Sequence, residues 1–339
     1  MAICFIIPPH ILAAIAENGD EEQRKWAQKS IEISEEIRQM RQNFALSPTQ
    51  QIKEDKQRII YTANNTTDLP GTKVRGESDA PTGDPATDEA YDGTGATFDL
   101  YFNSYQRNSI DGLGMDLIST VHYSQKYDNA FWDGQQMVYG DGDGSLFTLF
   151  TKPIDVTGHE LTHGVTQYSA NLTYQDQSGA LNESISDVFG SLVKQRSLNQ
   201  SVEKADWLIG EGIFTSRVHG RALRSMAAPG TAYDDPVLGR DPQPADMSHF
   251  VQTTDDNGGV HINSGIPNHA FYLAATKIGG NAWETSGMIW YETLTKGLKA
   301  NANFADCANA TILAAEKLFG NQSKEQLAVA DAWKTVGVI

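Results

Sequence analysis

The sequence predicts an α+β fold with two lobes, the first rich in β-strands and the second mainly α-helical. Strand-like runs alternate with turns and a helix before Asp155, whereas apolar residues recur at helical spacing after it. A short helical leader precedes both lobes. The 339 residues, 40% of them hydrophobic, are enough to fill two cores. We expect the leader at 1–50 and the lobes at 51–172 and 173–339.

The leader has the pattern of two amphipathic helices between about Ile11 and Asn43. Its apolar residues lie near helical spacing, with Glu, Lys and Arg between them. Asn18-Gly19-Asp20 interrupts this pattern, and Asp20 is suited to cap the second helix. The polar stretch that follows, from about Leu46 to Arg58, predicts a linker.

Three segments of the first lobe predict β-strands. They are "RIIYTAN" at 58–64, "LISTVHYSQ" at 117–125 and "NAFWDGQQMVYGDGDG" at 129–144, which we expect to be a hairpin at a sheet edge. Segment 77–97 is rich in Gly, Pro, Asp and Thr and therefore predicts a surface loop. A helix is expected after it, from about Thr97 to Ser109.

The charge of the chain limits the partners it can bind. A formal net charge of −17 disfavours nucleic acid and anionic membranes, because both are negatively charged. We expect no nucleic-acid partner and no membrane partner, and a monomer. The acidic side chains are also suited to binding cations.

The apolar opening run, "MAICFIIPPHILAAIA", does not fit a Sec signal peptide. No Lys or Arg precedes it, and Pro8-Pro9 breaks its apolar part. No later stretch reaches about 18 uninterrupted apolar residues, as a membrane span would need. We therefore expect a chain that is cytoplasmic as made, with any secretion by a non-classical route. The two cysteines, Cys4 and Cys307, are too few for a disulfide framework. A single disulfide bond between them is the alternative to two free thiols.

The motif "HELTH" at 159–163 carries the first chemical signal. On a helix, His159 and His163 project from one face, so each imidazole can give one nitrogen to a zinc ion. Glu160 follows the first histidine, where a general base for water is needed. The alternative is a helix with two ordinary surface histidines.

Two further segments supply partners for this motif. Glu183, in "SGALNESISDVFG", can be a third zinc ligand, and Asp187, one turn later, can accept a hydrogen bond from a zinc-bound histidine. In "DDNGGVHINSG", Asp256 can orient His261, which can stabilise an oxyanion. Taken singly, the alternatives are two solvated acids and a structural histidine in a loop.

Together these segments resemble the thermolysin family of zinc metallopeptidases. The resemblance includes "STVHYSQKYDNAFWDGQQMVYGDGDG", "HELTHGVTQYSANLTYQDQSGALNESISD", "LRSM", "DNGGVHINSG" and "AWKTVGVI", and it covers most of residues 100–339. It implies a zinc endopeptidase with its active-site cleft between the two lobes. It also implies that His159, His163 and Glu183 bind zinc, with Glu160 as general base. Tyr174 and His261 would stabilise the tetrahedral intermediate, with Asp187 and Asp256 as supporting carboxylates. Asn129, Ala130 and Arg224 would hold the substrate backbone.

The resemblance also implies a pocket for the side chain that follows the scissile bond. Its residues are apolar except for one arginine: Phe147, Phe150, Val156, Ile209, Leu223 and Arg224. Peptide and protein substrates would then be cut on the N-terminal side of bulky hydrophobic residues such as Leu or Phe. Core packing is the alternative for each apolar residue taken singly.

Members of the family often carry a two-calcium site built from carboxylates. Three of its acids are retained here as Asp155, Asp206 and Glu211, but Lys194 and Leu208 stand where further carboxylates are expected. A lysine ammonium can replace one ion by pairing with the acids. We therefore expect one zinc ion and at most one calcium ion.

The short leader with "FIIPPH" resembles the propeptide of the protealysin-like branch of this family. It implies a proenzyme whose own propeptide is its inhibitor, cut roughly between Phe44 and Arg58. Pro8-Pro9 predicts an extended segment that resists cleavage. We expect Cys4 to reach the zinc, because a thiolate is a strong zinc ligand. A small apolar residue in a packed leader is the alternative for Cys4.

Two other functions are compatible with a zinc site of two histidines and one glutamate. A zinc aminopeptidase can share these ligands, but it needs acids that anchor a free N-terminus, and no "G-x-M-E-N"-type segment is found. The second is a metal-stabilised binding protein with an inactive site. All the matched catalytic positions are filled, which favours an enzyme.

Overall fold

The computed structural model describes residues 4–41 and 55–339. Most of the predicted linker, and most of the range predicted for the maturation cut, lies outside the described residues. The leader forms the two expected helices, α1 (Pro9–Asn18) and α2 (Glu21–Arg41). Asp20 caps α2 as predicted, because its side chain accepts backbone N–H groups of the first turn at 3.0 and 2.9 Å.

A five-stranded sheet forms the first lobe and confirms the three predicted strand segments. The strands are β1 (Arg58–Thr62), β2 (Thr72–Arg75), β3 (Leu117–Val121), β4 (Ala130–Trp132) and β5 (Met137–Tyr139). Their spatial order is β2-β1-β3-β5-β4, with β1, β3 and β5 parallel and the two outer strands antiparallel to their neighbours. The hairpin β4–β5 therefore places β4 at the edge, as its pattern predicts.

Helix α3 (Pro85–Tyr105) shows that the prediction of a surface loop over 77–97 is wrong beyond Asp84. Asp84 caps this helix, and the proline that follows occupies its first turn. The helix begins at Pro85 and not at about Thr97, and it ends at Tyr105 and not at about Ser109. Its internal glycines serve close packing rather than turns, since a Cβ at Gly93 would lie 3.0 Å from the hydroxyl of Thr157.

The rest of the chain is mainly helical, as predicted from Asp155 onwards. Its helices are α4 (Ile154–Gln167), α5 (Asp176–Ser197), α6 (Asp256–Asn263), α7 (Gly265–Ile278), α8 (Ser286–Glu292), α9 (Phe304–Phe319) and α10 (Lys324–Thr335). The segment of the sequence between α5 and α6 forms two short antiparallel sheets. They pair β6 (Leu208–Ile209) with β7 (Arg224–Ser225), and β8 (Asp234–Asp235) with β9 (Gly239–Arg240). Helix α5 contacts α4, α6, α7, α8 and α9, so it lies at the centre of this lobe.

Within the described part of the chain, no helix combines the length and the apolar character that crossing a membrane requires.

Cys4 and Cys307 are both buried, and neither forms a disulfide. The alternative of a bridge between them is therefore not realised. Cys307 lies inside α9, whereas Cys4 lies in the extended segment before α1.

His122 ties the end of β3 to the N-terminus of α3. Its two ring nitrogens each face a carboxylate, Nδ1 at 2.8 Å from Asp141 and Nε2 at 3.2 Å from Asp84. The hydrogen bond to Asp141 is the main cause that raises the pKa of His122 from 6.5 to about 9, against the opposing effect of burial. Because the folded-state pKa is raised, this stabilisation is complete below pH 6.5 and is lost as the pH rises through about 9.

We expect His122→Asn to lower the free energy of unfolding clearly near pH 6 and much less near pH 10. The physical reason is that the ion pairs exist only while the imidazole is protonated. Urea unfolding at both pH values measures the difference. His249→Asn is the matched control, because the His249 side chain is 74% exposed and its contact with Asp246 is screened by water. An equal loss of stability at both pH values would contradict the prediction.

Candidate active site

The close approach of α4 and α5 brings the predicted metal ligands together. A Cβ at Gly158 would lie 3.0 Å from the Cα of Gly190, and one at Gly190 would lie 2.6 Å from the carbonyl oxygen of Asp155. Only glycine at both positions allows this helix–helix distance. As a result, the histidines of α4 face the glutamate of α5 in the interior of the protein.

His159, His163 and Glu183 converge on one point. The two Nε2 atoms are 3.0 Å apart, and the Glu183 carboxylate oxygens lie 3.4 Å from His159 and 3.5 Å from His163. All three side chains are at most 5% exposed, and Oε2 of Glu183 has no hydrogen-bond partner among the described residues. Buried acceptors that face one another without a proton donor between them are costly unless a cation joins them. This arrangement fits a zinc ion.

The outer nitrogen of each histidine is held by a neighbour on α5. Nδ1 of His159 lies 2.7 Å from Asp187, as predicted, and Nδ1 of His163 lies 2.9 Å from the side-chain oxygen of Asn182. With a proton on each Nδ1, both Nε2 atoms present lone pairs to the metal position. Burial lowers the pKa of His163 to about 3, which favours the neutral imidazole that binds metal. Against the effect of burial, hydrogen bonds with Asp187 and Glu183 raise the pKa of His159 to about 9, and a cation at this point would oppose its protonation. Asn182 was not predicted from the sequence, although it directly precedes Glu183.

Glu160 lies beside the three ligands and is fully buried. Its Oε2 accepts the backbone N–H of Trp132 at 3.1 Å, and its Oε1 has no hydrogen-bond partner among the described residues. Burial raises the pKa of Glu160 to about 8, with the nearby His159 opposing the shift. A cation beside it would favour the ionised form. One carboxylate oxygen is therefore anchored and the other is available to a proton.

His261 is oriented by Asp256, as predicted. Asp256 accepts the ring Nδ1–H at 2.8 Å and the backbone N–H of His261 at 2.9 Å. The ring Nε2 lies 3.1 Å from the carbonyl oxygen of Phe5 and 3.3 Å from the hydroxyl of Tyr174. Since a carboxylate and a carbonyl oxygen only accept, both ring nitrogens donate and the ring is an imidazolium. Asp256 and Glu183 raise its pKa against the effect of burial.

The backbone before His261 explains why this loop is rich in glycine. Residues 256–259 all have positive φ, which non-glycine residues rarely adopt. A Cβ at Gly258 would lie 2.1 Å from the side chain of Asp176 at the start of α5. The segment "DNGG" therefore turns tightly against α5 and delivers His261 to the same point as Glu183.

Asp187 connects the predicted metal ligand His159 to Arg224, the arginine predicted to bind substrate. In addition to His159, it accepts two hydrogen bonds from Arg224, both at 2.8 Å, and one from Asn268 at 2.8 Å. Arg224 and His159 lower the pKa of Asp187 to about 2 against the effect of burial. Arg224 also donates to the carbonyl oxygen of Ile6 at 3.2 Å. The sequence argument identified Arg224 and Asp187 but missed their ion pair and the contribution of Asn268.

The leader lies along the edge strand β4. Phe5 forms an antiparallel bridge with this strand, and the N–H of Ile6 donates to the carbonyl oxygen of Ala130 at 3.2 Å. The N–H of Ile7 donates to the side-chain oxygen of Asn129 at 2.9 Å. The two residues predicted to pair with a substrate backbone therefore pair with the leader.

Cys4 and Pro8-Pro9 flank this pairing, and their positions agree only in part with the sequence predictions. The ligand atoms of Cys4, His163 and Glu183 lie within 4.8 Å of one another, so the Cys4 thiol lies beside the predicted zinc position. Pro8 is extended, with φ −61° and ψ 147°, whereas Pro9 is the first residue of α1. The prediction that Pro8-Pro9 is extended is therefore wrong for Pro9, because proline fits the first helical turn.

Helix α2 fastens the leader to the first lobe. The hydroxyl of Ser30 accepts the backbone N–H of Asp128 at 3.1 Å, and the hydroxyls of Ser34 and Tyr127 are 2.9 Å apart. All four residues are buried. These contacts lie just before Asn129, so the leader is held by a helix as well as by its extended segment.

The predicted pocket residues lie in the core, where the rings of Phe147 and Phe150 are 5.7 Å apart and Ile209 pairs with Arg224. All are buried, and the five apolar ones belong to the same apolar cluster as Ile6 of the leader. They are Phe147, Phe150, Val156, Ile209 and Leu223, with Arg224 beside them on β7.

The predicted calcium position is occupied by a lysine ammonium. Nζ of Lys194 lies 3.0 Å from Asp155, 2.9 Å from Asp206 and 2.8 Å from the carbonyl oxygen of Leu208. Glu211 is next to Asp206, which raises the pKa of Glu211. The ammonium therefore contributes positive charge where the acids converge.

Comparison with known proteins agrees with this geometry. Three family models match in sequence order: the protealysin propeptide at 4–32, the thermolysin metallopeptidase catalytic domain at 22–167 and the thermolysin metallopeptidase alpha-helical domain at 170–338. An extracellular metalloprotease of Pectobacterium carotovorum subsp. carotovorum is 50% identical over 338 residues, which are 99% of this chain and 96% of that protein. The extracellular minor metalloprotease of Serratia marcescens is 51% identical over 206 residues, 60% of this chain and 58% of that protein. The solved structure of the precursor of protealysin, a metalloproteinase from Serratia proteamaculans, matches with a TM-score of 0.91 and 52% identity, over 99% of this chain and 100% of that chain.

These relatives contradict the expectation that the chain is cytoplasmic. The proteins at 50% and 51% identity are both named extracellular, which points to secretion. The expectation rested on an opening run that lacks the pattern of a Sec signal. Such a pattern is a weak guide to location, because export signals are recognised by receptors and not by apolar content alone.

Proposed function

We propose a mechanism for this chain from the premise that it belongs to the thermolysin family of metallopeptidases and is a metalloendopeptidase made with a propeptide. One observation carries the proposal. Two imidazole nitrogens and a buried carboxylate converge beside Glu160, whose Oε1 has no partner among the described residues. We assign His159, His163 and Glu183 as the ligands of one zinc ion. When bound, zinc supplies Lewis acidity, which polarises a carbonyl group and lowers the pKa of water.

The protein side chains have distinct roles in this proposal. Glu160 takes the proton of the attacking water on Oε1, while its Oε2 stays anchored to the first lobe. His261 and Tyr174 donate to the carbonyl oxygen as negative charge develops on it. Asp256 keeps His261 protonated and oriented. Glu160 then gives the proton to the leaving amine, so that it acts first as base and then as acid.

Substrate binding uses the edge strand and the buried arginine. We assign Asn129 and Ala130 to the substrate backbone, because both have their polar groups turned to an extended chain. Arg224 binds the carbonyl group of the residue after the scissile bond. The surrounding pocket is apolar, so burial of a Leu or Phe side chain there contributes roughly 1.5–3 kcal/mol. We propose cleavage on the N-terminal side of such residues in peptides and proteins.

The propeptide is the inhibitor of the chain that carries it. We propose a propeptide of about residues 1–50, ahead of lobes at 51–172 and 173–339, with maturation by a cut roughly between Phe44 and Arg58. The position of the Cys4 thiol supports a role as a zinc ligand in the precursor. Secretion, to which the extracellular relatives point, would bring the mature enzyme to protein substrates outside the cell.

We propose that the calcium site of other family members is replaced here by an ion-pair cluster. Lys194 contacts Asp155 and Asp206, and a buried lysine with two carboxylates satisfies the charge that a cation would otherwise supply. The proposal allows one zinc ion and at most one calcium ion. We also propose that the protein is a monomer.

We expect 1,10-phenanthroline to abolish casein hydrolysis by the mature protein, and added zinc to restore it. The reason is that the three ligands cannot activate water without the metal. Metal analysis before and after treatment measures the loss of zinc. A pair of peptides of the same sequence, one with a blocked and one with a free N-terminus, separates the two enzyme classes. Cleavage of the free peptide alone would support a zinc aminopeptidase, and no cleavage at all would support an inactive binding protein.

A further inference from the structure

We infer that the Phe5–Ile6 peptide bond of the leader is held in the position of a scissile bond. The leader would then be a bound substrate whose hydrolysis is blocked by the neighbouring Cys4. This inference rests on the roles proposed above for Glu160 and His261. It identifies a cleavage site inside the leader, far from the linker in which maturation is expected.

The first observation is that one carbonyl group of the leader lies at His261, the proposed oxyanion donor. Nε2 of His261 lies 3.1 Å from the carbonyl oxygen of Phe5, within hydrogen-bond distance. The hydroxyl of Tyr174 lies 3.3 Å from the same ring nitrogen and donates to Glu183 in this structure. Donors of this kind bind the oxygen of the carbonyl under attack. The carbon between that oxygen and the nitrogen of Ile6 is therefore the reacting atom.

The second observation is the register of the next two residues. The N–H of Ile6 donates to Ala130, and its carbonyl oxygen accepts from Arg224 at 3.2 Å. The N–H of Ile7 donates to Asn129 at 2.9 Å. A shift of the leader by one residue would break all of these hydrogen bonds and turn the side chains to opposite faces.

The side chain of Ile6 is consistent with this register. It is fully buried and belongs to the same apolar cluster as the proposed pocket residues, such as Phe147 and Leu223. Phe5 belongs to a separate cluster, where its ring is 5.3 Å from that of Phe131 on the edge strand. By its backbone register, Ile6 takes the position of the bulky hydrophobic residue that follows a cleaved bond.

In this inference, Cys4 is the reason why the Phe5–Ile6 peptide bond is not hydrolysed. It directly precedes Phe5, and its thiol lies within 4.8 Å of the ligand atoms of His163 and Glu183. A thiol there would be a further ligand for a zinc ion held by His163 and Glu183, and it would leave no place for the water that hydrolysis needs. A cavity of about 460 Å³ adjoins Cys4, His163 and Tyr174, so water has room to enter once the thiol is removed.

The reaction is an ordinary hydrolysis and needs no co-reactant except water. The water oxygen bonds to the carbonyl carbon of Phe5, and the bond from that carbon to the nitrogen of Ile6 breaks. Glu160 passes the water proton to the departing nitrogen. The products are the peptide 1–5 with a new carboxylate and a chain with a new amino terminus at Ile6.

The test is to incubate the full-length Cys4→Ala and Cys4→Ser proteins with zinc and analyse them by intact mass and N-terminal sequencing. We expect both to release residues 1–5 and to show a new N-terminus at Ile6, whereas the wild-type leader stays joined at this bond. The Cys4→Ala/Glu160→Gln double variant should stay intact there, which shows that the protein cuts itself. In Cys4→Ala/Ile6→Asp the cut should disappear, because a buried carboxylate cannot replace the isoleucine.

Casein hydrolysis by the matured Cys4 variants separates this inference from the proposed function. If they hydrolyse casein normally and no fragment begins at Ile6, the inference is overturned and the proposed function stands. If the matured proteins bind zinc but fail to hydrolyse casein or blocked peptides, the proposed function fails and the inference fails with it. The serine variant guards against a packing defect, because serine has nearly the shape of cysteine.

Discussion

Glu160→Gln is expected to lower kcat for peptide hydrolysis by roughly 10²- to 10⁴-fold, with the zinc content unchanged. Glutamine keeps the shape of the side chain and the contact with the N–H of Trp132, but it cannot take a proton from water. KM should change little, because Glu160 is not among the residues assigned to the substrate backbone. Steady-state kinetics on a blocked peptide, together with metal analysis, measures both quantities. Glu160→Ala should give a similar loss of activity.

The matched control for this variant is Glu284→Gln. Glu284 is exposed, and its replacement should leave kcat and zinc content at wild-type values. The same Glu160 variant reports on maturation, because its linker should remain uncut if the protein processes itself. Turnover of Glu160→Gln close to that of the wild type would rule out the proposed base.

Asp187→Ala is expected to give the largest loss of stability, about 3–5 kcal/mol in the free energy of unfolding. The carboxylate is fully buried and accepts hydrogen bonds from His159, Arg224 and Asn268. Its removal leaves the charge of Arg224 buried without its partner. Zinc affinity should also fall, by roughly 10- to 100-fold, because His159 loses the group that orients it. Urea unfolding and competition with a chelator measure the two effects.

The Asp187 experiment is best carried out in the Glu160→Gln background, which prevents self-digestion. Asp331→Ala is the control, since its ion pair with Lys277 is exposed and such pairs contribute about 0–1 kcal/mol. Because the pKa of Asp187 is lowered to about 2, its contribution is present above its ordinary value of 3.8 and is lost as the pH falls towards 2. A loss no larger than that of the control would show that Arg224 finds another partner.

Both predictions concern residues that link the predicted metal ligands to the groups that hold the leader. Arg224 binds the leader carbonyl and Asp187 at the same time, and Glu160 is anchored to the edge strand along which the leader lies. The leader therefore lies against the strand and the arginine that we assign to the substrate, and not on a remote surface. In our proposal, this inhibitor uses the binding energy of the active site itself, and Cys4 prevents its cleavage.

The amino-acid sequence alone was sufficient for features that are set by local spacing. The pair His159 and His163 lies on one helix face because a helix repeats every 3.6 residues. The edge hairpin and the cap at Asp20 also follow from short patterns, and the structure agrees with them. The residue types of two further segments indicated, and the family resemblance also implied, that Glu183 and His261 lie near these histidines, and the structure places them there.

Only the tertiary structure decided how distant segments meet. The support of His163 by Asn182 and the buried pair of Asp187 with Arg224 depend on how α4, α5 and β7 pack, and no local period encodes that packing. The extent of α3 was mistaken because its glycines look like turn residues, although Gly93 allows close contact with α4 and Gly95 with Arg58 of β1. The register of Phe5 and Ile6 in the cleft is likewise a property of the folded chain. Hydrogen bonds between residues more than 200 positions apart exist only once both lobes and the leader have assembled.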